Sequence, residues 1–294
     1  MTRMVIIVPF FNEERFLPSF LASVERQTRR PDQLMLVDDG STDGSPAIAA
    51  TFAARHDWAS VLTRPPKPLA SDRLALAPEL VAFAWARDQL SRPADAIGKF
   101  DGDLELSPAT LATLEQQLEH DPRLGIVGAY LSIRTPPGDL VREDCPPQHV
   151  RGATKLYRTT CLEQISPLPA TLGWDTIDAS HARMRGWRTQ TVAIPGGDPI
   201  HLRPTGAYDG RLRAFRRWGA CAYAFGAHPL WVALGAARRL GKRPYVVCGL
   251  SYALGWTLAA LRRRPRADAA IRRHVRREQM QWLRQRIGRQ PASP

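Results

Sequence analysis

Short apolar runs rich in β-branched residues alternate with helical periodicity in the first 40 residues. Residues 4–8 (MVIIV) and 34–37 (LMLV) are each closed by loop-forming residues, which is typical of strands buried in a parallel sheet. The apolar positions between them recur at three- and four-residue steps: Phe16, Phe20, Leu21 and Val24. Strand, helix and strand in succession predict a βαβ unit.

The same alternation continues along the chain and predicts an α/β fold with a doubly wound sheet. Residues 134–170 are rich in proline and are expected to be irregular. Helices are predicted after Ser45, over about 78–90 and over 108–120, and strands over 96–100 and 124–133.

Two segments near the C-terminus, residues 218–237 and 244–261, contain no Asp, Glu, Lys or Arg. Each approaches the roughly 20 residues that span a bilayer, but basic clusters precede, separate and follow them, so no crossing topology satisfies the positive-inside rule. We therefore expect both segments to lie in the cytoplasmic interface of a membrane, with a buried helical subdomain as the alternative. The aromatic residues expected at headgroup depth are Trp218, Tyr223, Trp231, Tyr245, Tyr252 and Trp256.

Charge is divided unevenly between the two ends of the chain. The 294 residues carry a net charge of +13, which by itself suggests a nucleic-acid-binding protein. Residues 206–294 hold 19 basic and 3 acidic side chains, a balance of +16, whereas residues 1–205 hold 22 basic and 25 acidic, a balance of −3. The length allows one large domain or two smaller ones, and the charge indicates two chemically different parts.

Cysteine usage and the N-terminal residues point to a cytosolic chain. The four cysteines form no CxxC pair, which disfavours a zinc site and a disulfide framework and favours a reducing compartment. The apolar run at the N-terminus is about a third of a membrane span and is followed by Pro9 and Asn12. We find no secretory signal.

Three acidic loops follow predicted strands: VPFFNEE (8–14), VDDGSTDGS (37–45) and KFDGD (99–103). Ligands of open α/β sheets bind at the carboxyl ends of the strands, where these loops begin. Taken singly, each loop has an ordinary explanation, because Asn12 and Ser45 are good helix N-caps and Asp-Gly sequences form turns.

Together, the three loops resemble, in order and spacing, the motifs of family 2 glycosyltransferases of the GT-A fold. No GxGxxG follows the first strand and no P-loop is present, which disfavours a Rossmann dehydrogenase and a P-loop enzyme. The resemblance implies a Rossmann-like, mostly parallel sheet flanked by helices. It also implies a catalytic domain over 1–205, with a nucleotide-sugar half of about 1–105 and an acceptor half of about 106–205, before the basic region 206–294.

The resemblance places the nucleotide-sugar donor on the first half. A carboxylate such as Asp39 accepts hydrogen bonds from a nucleobase edge, while Pro9 and Phe11 supply apolar contact. Aspartates tolerate a diphosphate when a divalent cation lies between them, so Asp101 and Asp103 are expected to bind Mg²⁺ or Mn²⁺, which stabilises the departing nucleoside diphosphate. The other residues expected near the donor are Glu13, Val37, Asp38, Gly102 and Arg73, with surface solvation as the alternative for Arg73.

The acceptor side needs a carboxylate that removes the proton of the attacking hydroxyl. Counting back from Gly186, Asp175 falls on the base of the family, and Asp178 is the alternative. The segment departs from the family pattern, because Trp174 stands where glutamate is common. Trp174 is interpreted either as a platform for a sugar ring or as a core side chain, and Asp175 has an N-cap aspartate as its ordinary explanation.

The segment HLRPTG (201–206) resembles the His-x-Arg-Pro-Thr-Gly segment of bacterial members. His201 is expected either to complete the metal shell or to contact the β-phosphate, although a lone histidine is usually structural. Arg203 is expected to neutralise the diphosphate.

The sequence thus predicts an inverting, metal-dependent glycosyltransferase of the type that builds bacterial cell-surface glycans, with a UDP-sugar favoured as donor. Its acceptor is expected to be a glycan or a lipid-linked sugar, and the enzyme is expected to lie on the anionic inner face of the cell membrane. Within this class, a polyprenyl-phosphate glycosyltransferase is the alternative. From another class, a nucleic-acid-binding protein would use the Arg-rich tail but would leave the acidic loops unexplained, so no nucleic-acid partner is expected.

Overall fold

A computed structural model describes residues 2–65, 76–135, 138–203, 210–241 and 243–287. The elements in chain order are β1 Met4–Phe10, α1 Leu17–Glu25, β2 Gln33–Asp38, α2 Ser45–Arg55, β3 Ala59–Thr63, α3 Pro78–Arg87, β4 Ala96–Phe100, β5 Leu104–Glu105, α4 Thr110–His120, β6 Leu124–Ala129, β7 Ser132–Arg134, β8 Leu140–Arg142, β9 Thr154–Arg158, α5 Thr159–Ile165, α6 Trp174–Met184, β10 Arg188–Val192, β11 Ile200–His201, α7 Arg211–Ala224, α8 Pro229–Leu240, α9 Val247–Leu261 and α10 Ala269–Ile287.

The chain divides into two compact units, which are considered separately below. The first comprises Met1–Ala170 and Arg185–Pro204, and the second comprises Thr171–Met184 and Thr205–Pro294. The second unit therefore contains the basic region predicted over 206–294 and, in addition, helix α6.

A seven-stranded sheet with the order β10-β6-β9-β4-β1-β2-β3 forms the centre of the first unit. Its strands are parallel except for β9, which runs antiparallel to β4 and β6. Every residue of β1 is buried, because its side chains alternate between two covered faces of the sheet. Alternate residues Met4, Ile6, Val8 and Phe10 join one core with side chains of α1, α2 and α4. The predicted mostly parallel α/β fold is confirmed.

Proline at the first turn begins α1, α2 and α3, where its fixed φ suits the helix and its missing N–H costs no hydrogen bond.

A smaller sheet has the strand order β5-β11-β7-β8. Two of its strands directly follow strands of the central sheet in the chain, β5 after β4 and β7 after β6. In this sheet Leu104 pairs with His201, which brings the loop after β4 beside the start of the HLRPTG segment (201–206).

Two parts of the first unit differ from the sequence prediction. The single strand predicted over 124–133 is divided into β6 and β7, and the stretch 134–170, predicted to be irregular, contains β8, β9 and α5. Strand β9 (TKLYR) is buried, yet it carries Lys155, whose side chain is wholly buried. A charged residue in a buried strand interrupts the apolar run by which such strands are recognised.

Five helices make up the described part of the second unit, and two of them approach at backbone distance. A Cβ atom at Gly255 of α9 would overlap the carbonyl oxygen of Arg216 in α7, and one at Gly219 of α7 would overlap that of Tyr252. Around these contacts, Phe215, Ala222, Val232, Cys248 and Tyr252 form a buried cluster with Trp218, Trp231 and Trp256 packed against it.

Helix α6 belongs to a separate cluster of the second unit. Ile177 packs with Ala267, Ile271 and Val275 at the start of α10, and Arg183 forms an ion pair with Glu278, whose Nε–Oε1 distance is 2.6 Å. None of the helices in the described ranges is both long enough and apolar enough to cross a membrane.

The close approach of α7 and α9 predicts an unusual response to alanine. In an exposed helix, Gly→Ala stabilises by about 1 kcal/mol, but Gly255→Ala forces the two backbones apart and is expected to destabilise the protein by roughly 1–3 kcal/mol. Gly241→Ala is the matched control, because Gly241 has a helical φ of −81° and an added Cβ would meet nothing within 4 Å apart from its own local backbone and chain neighbours. Urea unfolding measures both; equal stability of the two variants would contradict the packing.

Candidate active site

Three neighbouring parallel strands end at one edge of the central sheet, where the acidic loops follow them. Strand β1 lies between β2 and β4, and Pro9 near the end of β1 pairs with Val37 near the end of β2. The N–H of Asp39 donates to the carbonyl oxygen of Phe10 at 3.0 Å. Pro9 is buried and Phe11 is half-buried at this end of β1. The first two acidic loops therefore begin side by side.

Hydrogen bonds join these two loops to each other. The N–H of Thr42 donates to Asn12 Oδ1 at 2.8 Å, and the N–H of Asn12 donates to Ser41 Oγ at 3.0 Å. The N–H of Glu13 donates to Ser45 Oγ at 2.8 Å. Asn12 and Ser45 are therefore not the N-caps of α1 and α2, which are Phe16 and Gly44. These polar side chains hold the shape of the loops instead.

Asp38 and Asp39 are adjacent but have different partners. Asp38 is buried, and its Oδ1 accepts from the N–H of Ser41 at 2.9 Å, which fixes the turn. Asp39 forms an ion pair with Arg64, which is only 4% exposed and directly follows β3. The Nε of Arg64 is buried without a hydrogen-bond partner. An unsatisfied buried donor beside a carboxylate is a costly arrangement, and a ligand that accepts a hydrogen bond would relieve the cost.

A buried lysine precedes the third acidic loop. Lys99 in β4 is 1% exposed and forms an ion pair with Asp101. Burial alone would lower the pKa of Lys99, but the carboxylates of Asp101, Glu79 and Asp103 raise it above its ordinary value. Lys99 is therefore a permanent cation beside the loop. Gly102, within the loop, is buried, and an added Cβ would make only ordinary contacts with neighbouring apolar side chains.

Arg203 links the first and third acidic loops. Its Nε and Nη2 lie 3.1 and 2.9 Å from Oδ2 of Asp103, and Nη2 also pairs with Oε1 of Glu13. The pairing of β5 with β11 makes this contact, because it sets Leu104 opposite His201. One guanidinium therefore balances two carboxylates that are distant in sequence.

His201 lies between two carboxylates. Its Nε2 is 3.6 Å from Asp103 Oδ1, and its Nδ1 is 3.6 Å from Glu143 Oε2. Burial opposes the charged imidazolium, but Asp103, Glu143 and Asp101 favour it and raise the pKa of His201 to about 9. Glu143 also pairs with Arg151 at 2.6 Å. Without a metal ion at Asp103 the imidazole is therefore itself a cation, and both parts expected of His201, in the metal shell or against the β-phosphate, stay predictions.

The carboxylates retain unsatisfied oxygens. Oε2 of Glu13 and Oδ1 of Asp103 are buried without a hydrogen-bond partner. Burial, together with the charges of Asp103 and Asp101, raises the pKa of Glu13 to about 7 despite Arg203. Buried carboxylate oxygens without donors are the atoms that a hard divalent cation coordinates. Within the described ranges, however, no group of three or more His, Cys, Asp or Glu side chains is arranged as a metal site. These carboxylates therefore fit a cation whose remaining coordination positions are filled by a bound ligand.

The residues predicted for the acceptor lie in the second unit. Asp175 is in the first turn of α6 and is half-buried, whereas Asp178 is 0% exposed in the middle of the same helix. Trp174 is 6% exposed, so core packing accounts for its position, and its part as a sugar platform stays a prediction. Arg73 lies outside the described residues.

Three contributors to the site were missed from sequence. Arg64 follows β3, an edge strand that the apolar pattern did not reveal. Lys99 was identified only as the first residue of the KFDGD segment, and Glu143 lies in the stretch expected to be irregular. The register between strands, rather than any motif, brings Arg64 and Glu143 to the acidic loops.

Known proteins are similar to this chain in sequence over its first part and in fold. The family model described as glycosyl transferase family 2 matches residues 5–167, more than half of the chain. A comparison with curated protein sequences returns no match.

Several solved structures share the fold. A mannosyltransferase from Pyrobaculum calidifontis, in complex with GDP-Man and Mn²⁺, has a TM-score of 0.61 at 17% identity, covering 88% of this chain and 87% of that one. TarS 1-349 of S. aureus, in complex with UDP-GlcNAc, has a TM-score of 0.51 at 15% identity, covering 82% and 67%. GalNAc-T7 with UDP, GalNAc and Mn²⁺ has a TM-score of 0.56 at 13% identity, covering 90% and 54%. The expected GT-A fold is confirmed.

The charges of the site predict that the unliganded protein loses stability as the pH rises. The pKa of His201 increases from 6.5 to about 9 on folding, so its contribution is complete below pH 6.5 and is lost as the pH rises through 9. Glu13 acts in the same direction between pH 4.5 and about 7. We expect the free energy of unfolding in urea and EDTA to fall between pH 6.5 and 9, and His201→Gln to remove roughly 2–3 kcal/mol of that fall.

A matched control is His120→Gln, which replaces an exposed histidine at the end of α4 and should keep the wild-type pH dependence. If His201→Gln retains the same slope as the wild type above pH 6.5, the proposed surroundings of His201 are wrong.

Proposed function

The chain belongs to glycosyl transferase family 2, and we propose that it transfers a sugar, with inversion, from a nucleoside-diphosphate sugar to a glycan or lipid-linked acceptor. The observation that carries this proposal is the convergence of three acidic loops with Arg203 and His201 at one sheet edge. Carboxylates and fixed cations in one place suit a ligand that contains both a diphosphate and a metal ion.

We assign the nucleobase to the end of the sheet formed by β1, β2 and β3. Asp39 and Arg64 present a carboxylate next to a guanidinium, with Pro9 and Phe11 beside them. A uracil edge carries one N–H donor between two carbonyl acceptors, which matches one acceptor group beside one donor group. UDP-sugars are therefore favoured. The similar solved structures hold both GDP-Man and UDP-GlcNAc, and the nucleotide-sugar panel described below distinguishes the two bases.

We assign the diphosphate to the third loop. Asp101 and Asp103 would hold Mg²⁺ or Mn²⁺, and two of the similar structures contain Mn²⁺. When bound, the cation supplies Lewis-acid stabilisation of the departing diphosphate. Arg203 adds positive charge at the same place, as does His201 when it is protonated, and Lys99 forms an ion pair with Asp101. Charge-assisted hydrogen bonds to phosphate oxygens are stronger than hydrogen bonds between neutral groups.

On the acceptor side, we propose Asp175 as the general base. Its carboxylate takes the proton of an acceptor hydroxyl as that oxygen bonds to the anomeric carbon, and the bond from that carbon to the diphosphate oxygen breaks on the opposite face. Asp175 is preferred to Asp178 because Asp178 has no exposed surface with which to meet an acceptor. We place this reaction on the cytoplasmic face of the cell membrane, where the basic region would meet anionic lipid.

A panel of nucleotide sugars tests the donor site. We expect one UDP-sugar to raise the melting temperature in the presence of Mn²⁺ or Mg²⁺, and EDTA to abolish both this shift and donor turnover. Asp103→Asn should lower turnover by at least about a hundredfold, the scale of losing a charge-stabilising contact. Asp88→Asn, at an exposed aspartate of the same domain, is the control. Metal-independent turnover by Asp103→Asn would overturn the assignment.

Asp175→Asn separates the two kinds of acceptor. With a hydroxyl acceptor, loss of the base should lower turnover by about 10²–10⁴-fold, while donor binding measured by thermal shift stays unchanged. Near-normal turnover would sink the base assignment and favour a polyprenyl-phosphate acceptor, whose oxygen is already charged and needs no base.

A further inference from the structure

Exposed apolar side chains are concentrated on two helices of the second unit. Among the described residues, thirteen large apolar side chains are exposed, and nine of them lie between residues 230 and 261, with exposed fractions of 41–74%. Apolar residues scattered singly on a surface need no explanation, but a concentration of this kind marks an interaction site. These nine residues, named here the outer face, are Leu230, Leu234, Leu240, Tyr245, Val246, Val247, Leu250, Leu254 and Leu261.

The spacing of these residues separates the outer face from the packed side of the helices. In α9, Val247, Leu250 and Leu254 follow one another at three- and four-residue steps, which places them on one side of the helix. Tyr252 and Ala259, on the other side, are buried. Gly249 of the packed side lies so close to α8 that an added Cβ would be 2.6 Å from the carbonyl oxygen of Ala236. Of the outer face, Leu240 also packs against Gly249, whereas Val247, Leu250 and Leu254 lie on a different side of α9 from Tyr252 and Ala259.

The connection between α8 and α9 extends the outer face. The N–H of Val246 donates to the carbonyl oxygen of Leu240 at 2.9 Å, so the turn is closed by a backbone hydrogen bond. Arg243 Nε donates to the hydroxyl of Tyr245 at 3.0 Å. A half-exposed aromatic side chain carrying a cation at its polar end is the composition that suits the boundary between headgroups and acyl chains.

The charged side chains in the segment that contains the outer face are all basic. No Asp or Glu occurs from residue 210 to 267. Exposed arginines precede the turn, lie within it and follow α9: Arg238, Arg243, Arg262 and Arg263. Each such cation is attracted to an anionic bilayer over a distance of about one Debye length.

We propose that the outer face of α8 and α9 docks on a bilayer surface that contains anionic lipids, with its leucines reaching below the headgroups. At 1.5 Å per residue, helices of 12 and 15 residues are shorter than the roughly 30 Å of hydrocarbon, so they lie in the interface instead of crossing it. A second copy of the chain is disfavoured, because a two-fold contact uses the same face on both copies, and both would bring arginines with no acidic side chain between residues 210 and 267 to pair with them. The inference deepens the membrane location included in the proposed function.

The residues proposed to contact the bilayer differ from those expected from sequence. Of the six aromatic residues predicted to lie at headgroup depth, Tyr223 and Tyr252 are buried and Trp218, Trp231 and Trp256 are half-buried in the core of the unit. Only Tyr245 is exposed. Leucine and valine, rather than an aromatic belt, supply the contact, and the buried helical subdomain considered as an alternative is present beneath it.

Vesicle flotation of the full chain tests the proposal. Wild-type protein should float with phosphatidylglycerol/phosphatidylcholine vesicles and much less with phosphatidylcholine alone. The double variant Leu250→Ser/Leu254→Ser should bind the anionic vesicles at least tenfold more weakly. The matched control, Leu140→Ser/Val141→Ser, removes two equally exposed apolar residues from β8 of the first unit and should bind like the wild type. Arg262→Ser/Arg263→Ser should weaken binding mainly at low salt.

Two results would overturn the docking surface. One is equal flotation of wild type and Leu250→Ser/Leu254→Ser. The other is a wild type whose main partner is not the bilayer. Such a protein would fail to float and sediment as a dimer that this variant dissociates, or it would bind duplex DNA more tightly than vesicles at the same salt. Thermal shift by nucleotide sugar on the same preparations keeps the proposals apart: loss of flotation with donor binding intact overturns only the docking surface, and the reverse overturns only the donor site.

Discussion

The accumulation of carboxylates at one edge of a parallel sheet is the constraint on which the rest of the first unit depends. Glu13, Asp39, Asp101 and Asp103 follow strands that end together, and like charges at such distances destabilise a fold unless cations accompany them. The chain supplies these cations from both neighbouring and distant positions. Lys99 pairs with Asp101, Arg64 with Asp39, and Arg203 with both Glu13 and Asp103.

The same constraint connects stability with ligand binding. Glu13 Oε2 and Asp103 Oδ1 are buried without a hydrogen bond, although His201 Nε2 lies 3.6 Å from the second, so the internal cations balance the charge without completing the hydrogen bonding. A site of this kind gains from a ligand that brings its own cation. The small sheet is essential to it, since the pairing of β5 and β11 is what delivers Arg203 and His201.

Much of the first unit was predictable because its signals are local. The apolar runs of β1, β2 and β4 and the loops that follow them were identified from sequence, as were Asp39, Asp101, Asp103 and Arg203. Strand β9 was missed because Lys155 is buried within it, and β3 because it is a half-buried edge. Arg64 and Glu143 have no motif, since a salt bridge between distant residues leaves no periodic trace. The parts predicted for Asp175 and Trp174 stay predictions.

The sequence by itself determined the fold class, the positions of the acidic loops and the separation of a mildly acidic part from a basic one, because apolar periodicity, turn residues and charge are properties of short segments. Only the tertiary structure decided which cation meets which carboxylate and which side of α8 and α9 faces outward. In the second unit, the glycines of α7 and α9 allow backbone contact that buries the aromatic residues and leaves the leucines exposed. Sequence pattern marks a segment as apolar, but the packing of its neighbours determines which of its faces remains for a partner.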